Sequence, residues 1–221
     1  MKHIVFILLC NCVAFLAAND IFGQSKLNID YSEIEQIVEV NKGLYDELFD
    51  RYCRLDTLLT LNDYALIYYG HSFSDSYEPM VFSNFNNLFR EENYRESLDE
   101  AERVLSRNPV SIQALYNMMT ALHVINNPDY KRYLNHYAAI CSVIMASGDC
   151  TTPGTAMKVI YIPDEYEIMW KFLKIKELKK RPAREDEYDI FDVIPTEEYP
   201  FDIIYFDISR SRIRMREIFE R

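Results

Sequence analysis

The chain has few of the residues on which catalytic and nucleotide-binding motifs depend. Its 221 residues include only 5 glycines and 4 histidines. It contains no Gly-x-Ser-x-Gly nucleophile motif, no phosphate-binding loop, no dinucleotide fingerprint and no His-Glu-x-x-His zinc motif. The sequence therefore indicates no catalytic constellation, and we expect neither a cofactor nor a metal site.

Positive charge is also scarce. The chain carries 24 Lys and Arg residues against 35 Asp and Glu residues, for a formal net charge of −11. Non-specific binding of nucleic acid needs a basic face, so this balance argues against a nucleic-acid partner. The hydrophobic fraction of 49% is enough to bury a core, either as one domain or as two small ones.

Residues 1–23 have the layout of a secretory signal peptide. A short positive start precedes an apolar run over residues 4–18, which is shorter than a comfortable membrane span. Cleavage after Ala18 or after Gly23 would both suit the sequence. We therefore predict export to the periplasm, the cell envelope or the medium, with no membrane span after removal of the signal. An uncleaved anchor and lipidation at Cys10 are the alternatives.

Cysteine is too sparse for a disulfide framework. Two of the 5 cysteines lie in the leader, which leaves Cys53, Cys141 and Cys150. An odd number of thiols implies no fixed pairing. Cys141 and Cys150 could meet if the chain folds back after Gly148, and three unpaired thiols are the favoured alternative.

Helical periodicity dominates residues 24–148. The clearest element lies at residues 94–109, where apolar side chains recur on one helical stripe and an Asn-Pro pair closes the segment. That stripe carries Tyr94, Leu98, Ala101 and Leu105. A second Asn-Pro pair stands at residues 127–128, so we expect Asn108 and Asn127 to cap the helices that follow. Consecutive antiparallel helices of this kind are typical of helical repeats.

Earlier helices are predicted from capping signals and glycines. Ser32 with Glu35 forms a capping-box pattern, from which one helix should run to about Cys53. Gly43 is a weak point within it. Residues 57–62 are interpreted as a connection, and residues 64–70 as a short helix.

Beyond Gly148 the hydrophobic period changes from 3.6 to about 2. Residues 155–162 alternate as a strand, and residues 165–172 are interpreted as its hairpin partner across a turn at Pro163. Two more strands and a short terminal helix follow. They lie at residues 188–194, 201–206 and 209–221.

These patterns predict an α+β fold. A tetratricopeptide-like antiparallel helical bundle occupies residues 24–148, and a small C-terminal antiparallel β-sheet with a short helix occupies residues 149–221. No long linker separates the two parts, so we expect them to pack as one unit. The oligomeric state is not determined by the sequence.

Opposite charges stand side by side in the second part. A basic block over residues 171–184 is followed at once by an acidic block over residues 185–192. The blocks can pair across a hairpin or form a solvated face. A basic patch for an anionic surface is the sharper alternative.

Tyrosine is plentiful and is concentrated near residues 64–77. Tyrosine offers a large contact area and a polar hydroxyl, which favour it at interfaces. Packing of these rings between helices is the favoured interpretation, and an exposed recognition surface that includes Tyr68, Tyr69 and Tyr77 is the alternative from which we take candidate binding residues. His71 lies in the same region and is the best histidine for a site.

Asp149 lies at the junction between the helices and the sheet. A polar junction of this kind can hold a ligand, or it can form a turn in which Asp and Thr cap backbone groups. The candidate binding residues are therefore Tyr68, Tyr69, His71, Tyr77 and Asp149.

A family resemblance emerges from several strings in order along the chain. They are residues 63–70, 77–79, 147–149, 155–160, 164–166 and 204–207. In this order the chain resembles family 4919 of the domains of unknown function. The members of that family are exported proteins of gut-type anaerobic bacteria. The resemblance implies an exported α+β protein and supplies no activity. Cys150 departs from the pattern, because the family would lead us to expect glycine there.

Separately, residues 94–109 are similar to the second helix of a tetratricopeptide unit. Only one unit and a partial neighbour are recognisable. We therefore predict a non-enzymatic module that binds a protein or peptide in a groove between the helices over residues 82–144. A hydrolase using His71 with nearby carboxylates, and a purely structural envelope component, are the alternatives.

Overall fold

The computed structural model describes residues 27–220. The chain divides into two compact units. We call Asp30–Cys141 the helical unit, and we call residues 142–220 together with residues 27–29 the sheet unit. Helices come first and a small sheet follows, which confirms the predicted α+β fold. The division between the units lies inside a long helix.

The helical unit is a succession of helices joined by short connections. In chain order they are α1 (Tyr31–Val40), α2 (Lys42–Cys53), α3 (Leu61–His71), α4 (Phe85–Arg90), α5 (Tyr94–Arg107), α6 (Ile112–Val124) and α7 (Tyr130–Ala146), the last of which continues into the sheet unit. No helix in the described part of the chain has the length and apolar content that a membrane span requires.

Helix α1 is capped by Asp30, not by the predicted Ser32. The Asp30 carboxylate accepts hydrogen bonds from the backbone N–H groups of Ser32 at 2.9 Å and of Glu33 at 3.3 Å. These are donors that the first turn of a helix leaves unpaired. Ser32 therefore lies within the first turn, and the predicted capping box was wrong.

The single helix predicted up to Cys53 is two helices. Asn41 leaves the helical conformation at φ −104° and ψ 44°, and α2 begins at the next residue. Asparagine readily adopts such non-helical conformations. The break therefore falls two residues before Gly43, the position that the sequence marked as weak.

Helix α3 begins earlier than predicted, inside the supposed connection. Thr60 and Asp63 form a capping box in which the Thr60 hydroxyl accepts from the Asp63 N–H at 3.2 Å and Asp63 accepts from the Thr60 N–H at 2.8 Å. This reciprocal pairing satisfies two backbone donors at the helix start. The prediction overlooked this pattern because it used only the apolar residues after Asp63.

The consecutive helices predicted on either side of Asn108-Pro109 are present as α5 and α6. Asn108 ends α5, as expected, but the N-cap of α6 is Ser111, whose hydroxyl accepts from the Ala114 N–H at 3.2 Å. The Asn127 side-chain oxygen accepts from the Asp129 N–H at 3.0 Å in the turn just before α7 begins at Tyr130.

The buried stripe of α5 is rotated from the predicted one. Its buried side chains are Ser97, Ala101 and Val104, while Leu98 and Leu105 are half-buried. Ala101 belongs to a hydrophobic cluster at the α4–α5–α6 packing. That cluster comprises Phe85, Ala101, Met118, Ala121 and Leu122. Small residues on α5 let α6 approach closely, which places the larger side chains at the edge of the contact.

The sheet unit holds four strands in the described residues. They are β1 (Met157–Lys158), β2 (Ala183–Glu185), β3 (Tyr188–Asp192) and β4 (Ile203–Asp207), with α8 (Ile162–Lys171) after β1 and α9 (Ser209–Phe219) after β4. The strand order is β1-β4-β3-β2. Strand β1 pairs parallel to β4 and the other pairs are antiparallel, so the sheet is mixed rather than wholly antiparallel.

The predicted strand at residues 165–172 was wrong, because this segment is α8. Pro163 stands in its first turn, where the missing N–H is tolerated, and Asp164 and Glu165 follow it. Acidic residues near a helix N-terminus are stabilised by the helix dipole. These start signals outweigh the apparent alternation that had suggested a hairpin partner for β1.

The opposite charge blocks pair across a hairpin. Arg184 on β2 lies directly opposite Asp189 on β3, and its guanidinium makes two bonds to that carboxylate, at 2.5 and 2.6 Å. Lys180 and Asp192 form a second pair at 2.8 Å. Of the readings that the sequence left open, the hairpin pairing is correct for these residues, and β2 itself was hidden by its charges.

Cys141 and Cys150 are both buried and are not joined by the disulfide that the sequence allowed. Cys150 has a φ of 55°, a left-handed conformation that favours glycine. This explains why glycine is expected at position 150. Gly148 serves close packing instead, since a Cβ there would lie 2.4 Å from the Thr155 carbonyl oxygen.

Glu165 is a completely buried carboxyl group in the sheet unit. Its side chain is 0% exposed, and neither carboxyl oxygen has a hydrogen-bond partner within residues 27–220. Burial, followed by the nearby Asp189, raises the pKa of Glu165 well above its usual value, and Arg184 only partly opposes this shift. The group is therefore held in its neutral, protonated form in the folded protein.

Replacing Glu165 by glutamine should change the pH dependence of stability. In the wild type the free energy of unfolding should fall as the pH rises above about 4.3, the pKa of an unfolded glutamate, because unfolding releases the proton that folding retains. E165Q cannot ionise, so it should be more stable than the wild type at pH 8 and similar to it near pH 5.

Urea denaturation at several pH values measures this difference. E185Q, at an exposed position on β2, is the matched control and should follow the wild-type profile. Parallel wild-type and E165Q profiles would show that Glu165 is not neutral in the folded state.

Candidate functional site

The predicted aromatic recognition surface is buried. Tyr68 and Tyr69 are 0% exposed and Tyr77 is 3% exposed. Most of the α3 surface is covered, and a Cβ added at Gly70 would lie 2.6 Å from the Tyr45 ring. The interpretation of these rings as an exposed surface was wrong, because α3 packs inside the helical unit on nearly every side.

His71 is buried with them in an aromatic stack. Its ring lies parallel to that of Phe49, with centroids 5.7 Å apart and an angle of 7°, and its Nδ1 lies 3.2 Å from the Ser74 hydroxyl. The hydrolase alternative needed Asp75 or Glu78 buried beside this ring. Asp75 is exposed, and Glu78 is partly exposed and paired with Arg107. The carboxylates thus lack the burial that would tune them for acid–base chemistry.

Asp149 belongs to the sheet unit and forms a turn. Its Oδ1 accepts from the Thr151 N–H at 3.1 Å and from the Thr151 hydroxyl at 2.8 Å. This is the capping turn that we favoured over a ligand site at this junction. The predicted site residues are thus divided between the two units, with His71 and the three tyrosines in one and Asp149 in the other.

A cavity of about 470 Å³ opens within the helical unit, and sequence reasoning did not identify it. Side chains of α2, α5, α6 and α7 line it, together with residues that follow α2 and α5 and one residue of the loop between α3 and α4. The lining comprises Phe49, Tyr52, Cys53, Leu55, Ser76, Glu102, Leu105, Ser106, Arg107, Pro109, Leu115, Met118, Tyr133 and His136. Its volume lies in the range of roughly 300–1,000 Å³ that is usual for ligand sites.

His136 and Tyr52 form the polar wall of this cavity. Their rings stack with centroids 4.5 Å apart, and His136 Nε2 donates to the Tyr52 carbonyl at 3.0 Å. The Tyr64 hydroxyl donates to His136 Nδ1 at 3.0 Å and accepts from the Asn135 amide at the same distance. The Tyr52 hydroxyl donates to the Pro109 carbonyl at 2.8 Å. This chain of hydrogen bonds joins α2, α3 and α7 to the turn before α6.

The imidazole of His136 is neutral in the folded protein. Burial lowers the pKa of His136, and the hydrogen bond to the Tyr52 carbonyl only partly offsets this effect. A neutral ring with one N–H donor and one acceptor nitrogen matches the partners observed. His136 is therefore a fixed wall element, and its two nitrogens are already engaged.

The rim of the cavity is formed by α5 and the loop before α4. The Arg107 guanidinium binds the Glu78 carboxylate through two bonds, one of them 3.1 Å between Nε and Oε1. Arg103 donates to the Phe82 carbonyl at 2.5 Å and bonds Glu100, which lowers the pKa of Glu100 to about 2. These contacts hold the loop along α5. Met80 and Phe82 in that loop are 58% and 80% exposed.

Arg132 on α7 holds the end of α2, where Leu55 lines the cavity. Leu55 has a left-handed φ of 58°, and the Arg132 guanidinium donates to the carbonyls of Arg54 at 2.6 Å and of Leu55 at 3.1 Å. A guanidinium at these carbonyls satisfies acceptors that the end of α2 leaves unpaired. The strained residue is thereby retained beside the cavity.

Comparison with known protein families identifies the family of this chain. The family model described as "Domain of unknown function (DUF4919)" matches residues 32–216. The chain belongs to this family. The resemblance recognised from ordered strings of residues is therefore confirmed, over most of the chain. Searches of the curated proteins and of the solved structures each found no match.

Membership of DUF4919 assigns no activity, so chemistry has to be argued from the site itself. No group of three or more His, Cys, Asp or Glu side chains between residues 27 and 220 is arranged to hold a metal ion. The cavity therefore offers shape, aromatic surface and a few polar groups. Such a combination suits binding.

Replacing Tyr64 by phenylalanine should destabilise the helical unit by about 1–3 kcal/mol, because it leaves the acceptor nitrogen of His136 and the amide of Asn135 unpaired. Urea denaturation of the wild type and Y64F measures the loss. Y94F is the control, since Tyr94 is only half-buried at the start of α5, and it should change stability by less than about 0.5 kcal/mol. Equal losses in the two variants would show that the network contributes nothing specific.

Proposed function

We propose that the helical unit binds a segment of another protein in the cavity between α2, α5, α6 and α7. The observation that carries the proposal is the cavity itself, of about 470 Å³, with an apolar wall and a rigid polar wall. Grooves between packed helices commonly receive protein segments, whose apolar side chains provide most of the affinity.

The exposed loop beside the cavity supports a protein ligand over a small metabolite. Ser76 lines the cavity, and Met80 and Phe82 follow in the same loop with most of their surface in solvent. The two arginines of α5 that bind this loop fix its position. A chain that enters the cavity can therefore continue over apolar side chains outside it, which a small ligand would leave uncovered.

Selection of random dodecamer peptides on the immobilised full chain tests the proposal. Selected peptides, labelled with fluorescein, should bind in fluorescence polarisation, and Ser106→Trp should weaken binding at least tenfold. Ser106 is an exposed cavity residue, so the indole fills the mouth without disturbing the core. Ser32→Trp, at an exposed position on α1 outside the lining, is the matched control and should bind normally.

Two results would contradict the proposal. The first is a selection that yields no binding peptide. The second is equal binding to S106W and S32W, which would place the peptides elsewhere on the surface.

We further propose that the protein acts outside the cytoplasm. The support is the sequence of residues 1–23, which has the layout of a signal peptide. These residues lie outside the part of the chain that the structure describes. The helical unit would then meet its partner in the periplasm, at the envelope or in the medium.

Cell fractionation after expression of the full chain in a bacterial host tests export. The wild type should be found outside the cytoplasm with a mature N-terminus at Asn19 or Gln24 by mass spectrometry. Leu8→Arg interrupts the apolar run and should keep the full-length chain inside the cell. Cys10→Ser should be exported like the wild type, whereas its retention would indicate lipidation. A cytoplasmic wild type would overturn the proposal.

A further inference from the structure

The ionisable side chains that line the cavity differ in whether their charge is balanced by a neighbouring group. His136 is neutral, and its two ring nitrogens are both hydrogen-bonded. Arg107 is paired with Glu78, so its charge is offset. Glu102 lies exposed at the lining and forms no ion pair with any residue of the described chain. The one charge of the lining without a partner is therefore negative.

The charged residues next to the lining do not change the negative sign of its unpaired charge. Glu102 and Asp129 both act on the Tyr133 hydroxyl in the direction that raises its pKa, after the larger effect of burial, and Arg132 acts against them. The Arg132 guanidinium is itself bonded to the carbonyls of Arg54 and Leu55. Its charge faces the carbonyl end of α2, which compensates it.

Aromatic rings form the wall that a ligand meets. Phe49, Tyr52 and Tyr133 all line the cavity. Phe49 stacks on His71 and Tyr52 stacks on His136, whereas Tyr133 makes no ring contact within the described residues, so Tyr133 is the ring that a cation can approach. The faces of aromatic rings carry partial negative charge and attract cations. Leu105 and Met118 add apolar surface in the same lining, which suits an aliphatic chain.

We propose that the cavity receives a lysine or arginine side chain from the partner segment. This inference rests on the proposed function and specifies its ligand. The aliphatic stem packs against Leu105 and Met118, while the cationic head lies near Glu102 and the Tyr133 ring. An acidic anchor would face Glu102 and find no uncompensated cation in the lining. Specificity then follows from repulsion of the wrong charge as well as attraction of the right one.

Matched peptides test this charge preference. A dodecamer chosen by the selection above is synthesised with lysine, leucine or glutamate at its anchor position, with identical flanks. The lysine peptide should bind about tenfold more tightly than the leucine peptide, which corresponds to roughly 1.4 kcal/mol. The glutamate peptide should bind more weakly than both.

Glu102→Gln is the decisive variant. It should weaken binding of the lysine peptide about three- to tenfold, as expected for one partly desolvated charge pair, and leave the leucine peptide unchanged. Binding of the lysine peptide should also become less sensitive to salt, because the screened charge is gone. Glu96→Gln, an exposed position on the same helix outside the lining, should match the wild type in every measurement.

The outcomes separate the two proposals. Peptides that are blocked by S106W but show no preference for lysine, or are unaffected by E102Q, would overturn the cationic anchor and keep the binding site. A preference for the glutamate peptide would overturn it as well. Failure to select any peptide that S106W blocks would remove the proposed function, and the anchor with it.

Discussion

The helical unit depends on one buried chain of hydrogen bonds centred on His136. Through it, α7 holds the carbonyl of Tyr52 on α2 and the hydroxyl of Tyr64 on α3, while the Tyr52 hydroxyl reaches the turn before α6. Each donor and acceptor in this series of hydrogen bonds has a partner, and polar groups can be buried without a large cost in free energy only when they are paired in this way. The same side chains form one wall of the cavity. The wall is therefore rigid, and binding there requires little reorganisation.

The helical unit and the sheet unit each bury an ionisable side chain, but the two side chains differ in their hydrogen bonding. His136 is neutral and fully hydrogen-bonded, so its burial stabilises one arrangement of helices. Glu165 in the sheet unit is also neutral, yet neither of its oxygens has a partner in the described chain. Nearby, Arg184 and Asp189 satisfy each other across the β2–β3 hairpin. The sheet unit thus carries an uncompensated cost at Glu165, which couples its stability to pH.

Sequence reasoning succeeded where a signal is local. The α5–α6 hairpin, β3, β4 and the terminal helix were all predicted, because apolar periodicity and Asn-Pro punctuation act over a few residues. It failed at α8, where alternating apolar residues concealed a helix start at Pro163. It also missed β2, whose charged side chains give no apolar pattern although Arg184 pairs across the hairpin.

The amino-acid order alone determined the class of the fold, the family and the absence of recognisable catalytic motifs, since these depend on patterns that neighbouring residues carry. Only the tertiary structure decided which surfaces are available. Tyr68, Tyr69 and Tyr77 have the composition of an interface and are nevertheless buried, because α3 is surrounded. The cavity joins side chains from residues 49 to 136, and a site assembled over such separations has no signature in any local stretch of the chain.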